Sequence, residues 1–211
     1  IRLTPTEEIF SLARRLFLMG IDRFAAGDAS RGLADVSRAV DLADAGPARA
    51  EALATLGAME RAASRLTESR IHLEAALVEA GTTDDLRCSV HAELFATIER
   101  LGDEDEALAH AEEALLLARG IGSQGPRAHA YAAALRARTL REGRLDEGVM
   151  SEAPELWGDL DALTIVDQPR TSLAFDLIAV GELDRAEDLV VELLRSADAR
   201  ADDAARVAIL D

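Results

Sequence analysis

Polar and apolar residues alternate along almost the whole chain with a helical period, apolar positions recurring at steps of about three and four residues. The runs predict helices over 6–26, 29–44, 48–63, 66–80, 84–101, 104–120, 126–142, 145–155, 168–180, 183–197 and 200–211. Start signals support several of them. Asp28, Thr83 and Asp103 are side chains that can accept from the orphan N–H groups of a first turn, and Glu106 follows Asp103 at capping-box spacing. Pro47 and Pro126 fall where a first turn tolerates a missing N–H. The one strand-like run, Leu163 to Val166, is short and isolated, so the expected class is all-α.

A turn dipeptide returns between these runs as Gly27-Asp28, Gly102-Asp103, Gly143-Arg144 and Gly181-Glu182, with Ser64-Arg65 in the gap. The successive steps are 37, 38, 41 and 38 residues. A fixed period of this size means helical hairpins that bury their apolar faces by stacking. The chain is therefore expected to be one repeat domain over 1–211, with repeats near 6–44, 48–80, 84–120, 126–155 and 168–197. The last helix, 200–211, is left without a hairpin partner and should be cheap to remove. Ser151 to Pro169 breaks the rhythm with Pro154, Trp157, Gly158 and the acids Asp159, Asp161 and Asp167. It reads as a longer connection with Trp157 over a core edge, or as a hinge or docking loop.

Small residues stand early in each second helix, at Gly32, Ser69, Ala107, Gly148 and Ala186. A leucine-like position late in each first helix is held by Met19, Leu56, Leu94, Leu135 and Leu173, with Gly20 and Gly57 beside the first two. This resembles the tetratricopeptide template, although the template's Trp, Tyr and final Pro are missing and the period exceeds its usual ~34 residues. The fold expected is a tetratricopeptide-like, right-handed α-solenoid of about five helical hairpins. Further wording carries a second resemblance: Arg2-Leu3-Thr4-Pro5, Arg14-Arg15, Phe24-Ala25-Ala26-Gly27-Asp28, Gly46-Pro47-Ala48-Arg49-Ala50 and His110-Ala111-Glu112-Glu113-Ala114-Leu115. Together these resemble the helical-repeat region of the large ATP-binding LuxR-type transcriptional regulators of bacteria, signal-transduction ATPases with numerous domains. The resemblance implies a middle segment between a nucleotide-binding module and a helix-turn-helix, so that ATP belongs only to the parent's separate module. The first residue, Ile1 rather than Met, fits a piece of a longer protein.

Composition narrows the partners. Apolar residues make up 49% but aromatics only 3%, so packing falls to Ala, Leu and Val. A net charge of −17, spread along the chain, would repel a phosphate backbone or an anionic membrane, and direct nucleic-acid binding is not expected. A lone Cys88, no secretory signal and no long apolar run point to a cytoplasmic setting without a disulfide or a membrane span.

Candidate chemistry is sparse. No phosphate loop and no nucleophile beside a base occur, and the many carboxylates read as a solvated face, so no enzyme activity and no catalytic residue are expected. His72, His91, His110 and His129 are each 19 residues apart, half a repeat, which reads as an echo of the period rather than a metal site. The concave face made by the first helices is the better candidate. Its positions fall on Arg14, Phe17, Ile21 and Phe24, then Arg61, Arg100 and Arg141 over an alanine-rich floor, then Phe175, with Trp157 as a second docking element. Arginine forks well onto carboxylates, so the partner expected is a protein or peptide segment, one of the parent's own modules, or a small effector. A free-standing tetratricopeptide adaptor or scaffold is the alternative reading.

Overall fold

The computed structural model describes residues 6–158, 160 and 163–210. The Arg2–Pro5 quartet, Asp159 and Asp161 lie outside the described residues. The described residues form helices and turns: α1 (Thr6–Ala25), α2 (Ala29–Leu42), α3 (Pro47–Ala62), α4 (Leu66–Glu79), α5 (Asp84–Leu101), α6 (Glu104–Ala118), α7 (Gln124–Glu142), α8 (Glu147–Glu152), α9 (Pro169–Ala179), α10 (Leu183–Arg200) and α11 (Asp203–Leu210). A 3-10 turn, Pro154–Trp157, follows α8. The fold is an all-α, tetratricopeptide-like solenoid of helical hairpins. The chain divides into two compact units, Ile1–Ala107 and Leu108–Asp211.

The repeated dipeptide has a local physical cause. Gly27, Gly102, Gly143 and Gly181 take φ values of 90°, 88°, 67° and 80°, and Ser64 takes 61° in the same role. A left-handed residue there turns the next N–H back onto the helix it leaves. Thus Asp28 N donates to Arg23 O at 2.9 Å, Arg65 N to Glu60 O at 2.8 Å, Asp103 N to Ile98 O at 3.3 Å and Glu182 N to Leu177 O at 2.9 Å. Asp28 and Asp103 then cap the following helices, accepting from Arg31 N at 3.3 Å and Glu106 N at 3.1 Å. Thr83 forms no such side-chain bond.

Within hairpins the small residues mark the crossings. A Cβ on Gly20 would lie 2.6 Å from Val36 Cγ2 and 2.9 Å from Gly32 O, and one on Gly57 would lie 2.6 Å from Leu73 Cγ. Ser69, Ala107 and Ala186 are buried, as are Leu56, Leu94, Leu135 and Leu173. Two positions depart from the template. Met19 is 38% exposed, and a Cβ on exposed Gly148 would meet only its own cap residue, Asp146.

The fourth hairpin explains that departure. Its second helix, expected over 145–155, closes after Glu152 because Pro154 offers no N–H and bars Ala153 from helical geometry. The chain that follows covers the core with Ala153, Leu156, Leu160 and Ile165, all buried. Gln168 Nε2 donates to Leu160 O at 3.0 Å, Arg170 bridges Gln168 Oε1 and Ser196 Oγ, and Arg200 donates to Leu163 O at 2.9 Å. The last helix also differs from expectation. It packs on α10, and Ala205 joins Ile165, Ala174, Leu193 and Ala197 in one apolar cluster, so removing it uncovers core.

Candidate functional site

In the first unit a cleft of about 720 Å³ opens along the N-terminal half of α1. Ile9, Phe10, Ala13, Arg14, Phe17 and Leu18 form its α1 wall. Opposite stand the end of α2, the turn through Asp44 and Gly46, and the start of α3 with Ala48, Glu51 and Ala52. The α1 wall exists because α1 has more apolar positions than its hairpin with α2 can bury. Ala13 and Leu16 go into the core, while Phe10 stays 62% and Leu18 51% exposed. The facing wall is mostly alanine, with Leu42, Pro47 and the carboxylates Asp44 and Glu51 among them, so the cleft is largely apolar with a charged edge.

The structure brings Arg14 and Phe17 together in this cleft. Ile21 lies farther along α1, at the exposed limit of its apolar face. Phe24 is half-buried, and its Cβ lies 2.9 Å from where a Cβ on Gly32 would sit, so it serves the hairpin crossing. Arg61 is engaged elsewhere in the unit: its Nε and a terminal nitrogen donate to Glu93 Oε2 at 3.1 and 2.9 Å. Arg100 donates to Arg61 O at 2.8 Å and to Ser64 Oγ at 3.2 Å, holding the end of α3. These two arginines therefore spend their donors on the repeat itself. Removing them would cost hairpin contacts as well as any partner contact.

In the second unit Arg141 is exposed at the end of α7, and Phe175 and Ile178 on α9 are 53% and 50% exposed. Trp157 is half-buried, and its Nε1 donates to Met150 O at 3.1 Å, which ties the 3-10 turn back to α8. Around α8, Arg138 grips Glu112 through two nitrogens at 2.7 and 2.8 Å and reaches Asp146 Oδ2 at 2.8 Å. The Arg138 hydrogen bond holds Asp146 below the usual carboxylate range. Arg119 does the same for Glu152.

Two buried carboxylates escaped the sequence reading. Glu60, 3% exposed, accepts from His72 Nδ1 at 2.7 Å, and Asp176, 1% exposed, takes Arg136 at 2.8 Å. A Glu on the buried phase of α3 beside Leu56 and Met59 was the available signal. Burial pushes the Cys88 thiol up to about 12, which suits a packing side chain rather than a nucleophile. Among the described residues no three His, Cys, Asp or Glu side chains converge as metal ligands would. Among those residues the charged lining of the cleft reduces to Arg14, Asp44 and Glu51.

Among the described residues no helix is long and apolar enough to cross a membrane. No protein-family model and no curated protein matches the sequence. Solved structures do match the fold. A tetratricopeptide repeat protein from Parabacteroides merdae is similar at a TM-score of 0.55 with 18% identity, over 94% of this chain and 72% of that one. A putative kinesin light chain from Podosopora anserina with nearly identical TPR-like repeats gives 0.57 with 18% identity, over 92% of this chain and 98% of that one. A point variant of that protein gives 0.58 with 17% identity over the same shares of the two chains.

Proposed function

We propose that this chain is a non-catalytic protein-interaction module that seats a partner segment in the cleft between α1 and the α2–α3 corner. One observation carries the reading. A cleft of about 720 Å³ keeps Phe10 and Leu18 half-exposed beside Phe17, and exposed aromatic and aliphatic side chains grouped in a concave site are what a binding surface requires. Its lining holds no nucleophile beside a base, and its charged groups suit recognition better than proton transfer.

The wording shared with LuxR-type ATP-binding regulators supplies the setting we propose: a sensing segment whose occupancy alters how the parent's ATPase and DNA-reading modules meet. The segment seated would come from a separate protein or from those modules, in the cytoplasm. The parent reading fails if its open reading frame encodes no phosphate loop before this segment and no helix-turn-helix after it. A free-standing chain would make it an adaptor.

Photo-crosslinking tests the site. A photoreactive residue placed at Phe17 or Leu18 of the full-length protein should give defined adducts in cells, and one at Val78, 83% exposed on α4, should give few. Equal yields from both faces would remove the cleft from consideration.

A further inference from the structure

We propose that the occupant of this cleft is a basic peptide segment with large apolar anchors, the anchors lying on the α1 wall and the cationic groups against Asp44 and Glu51. The proposal rests on the interaction-module reading and adds the chemistry of the partner. The two walls differ in size. Phe10, Phe17 and Leu18 stand on one side, and the other is mostly alanine (Ala39, Ala43, Ala48 and Ala52) with Leu42 and Pro47, so the space over the alanines accepts the partner's own bulky side chains.

The charges then decide the sign. Among the described residues three charged side chains line the cleft, and two are carboxylates. Asp44 and Glu51 are exposed, and neither joins an ion pair or hydrogen bond among the described residues. The cation nearest in sequence is already engaged, since Arg49 pairs with Glu79 at 3.2 Å, and neither Arg38 nor Arg15 is among the residues that line the cleft. The surplus charge at the cleft is therefore negative, within a chain whose net charge of −17 draws cations toward it. Arg14 does not reverse this, because a guanidinium donates equally well to the carbonyls of a peptide backbone and would orient the segment. An acidic segment would gain one cation and face two carboxylates that have no partner among the described residues.

The experiment selects a displayed library of random peptides on the full chain at low salt, with counter-selection on a Leu18→Asp variant. The enriched peptides should pair aromatic or aliphatic residues with Lys and Arg. Their binding should weaken roughly ten-fold in Asp44→Lys/Glu51→Lys, about two exposed charge contacts reversed. Both positions are exposed, so the double variant should melt with the parent chain. An acidic or uncharged pool, an empty pool, or binding unchanged in the double variant overturns the proposal. An acidic pool that still crosslinks at Phe17 would sink the charge assignment and leave the interaction module standing. A pool that crosslinks only at Val78 would sink both.

Discussion

At the scale of single residues, the turn glycines show how a sequence period is enforced. Gly102 sits at φ 88° with nothing within 4 Å of where a Cβ would lie, so alanine there meets strain and no clash. A left-handed L residue costs about 1–2 kcal/mol, and Gly102→Ala should lower the stability measured by urea unfolding by that amount with an unchanged m value. A loss of a few tenths would mean that the turn relaxes to another geometry. Ser64 tolerates the same conformation at φ 61°, where its hydroxyl takes a hydrogen bond from Arg100. The glycines were legible from their spacing. The partners of Arg61 and Arg100 were not, because each donates to atoms 32 to 39 residues away.

At the scale of elements, α8 is the part of the repeat that the sequence rhythm describes least well. Its packing positions read as helix to residue 155, and Pro154 stops it early. What remains is held by carboxylates, which gives it a pH dependence of definite sign. Asp146 and Glu152 have folded values depressed by Arg138 and Arg119 respectively. Such groups stabilise the fold above the unfolded carboxylate range, about 4, and that contribution is lost as pH falls through the depressed folded values. Trp157, the only tryptophan and hydrogen-bonded to Met150 O, reports on α8 directly. Its emission should shift on acidification below the ordinary carboxylate range, and in Arg138→Gln the shift should begin at a higher pH. Identical acid midpoints in the two proteins would show that Arg138 does not set the titration.

At the scale of the whole molecule, charge is the property that governs encounters. A net charge of −17 opposes the counterion release that drives phosphate binding, so this segment by itself should not bind duplex DNA. A gel-shift titration at low salt should stay blank, and submicromolar binding would overturn the expectation. The sequence by itself determined the helices other than the extent of α8, their turns and this acidic charge. Those properties depend on contacts within a turn or two and on composition, and left-handed caps spanning about five residues repeat wherever the dipeptide does. The tertiary structure decided which exposed residues remain available. Arg61 and Glu93 meet only when separate first helices pack, and the cleft needs the face of α1, the corner after α2 and the start of α3 placed around one volume. Helical period places Phe10, Phe17 and Leu18 on α1, but the packing of a second hairpin determines whether anything covers them.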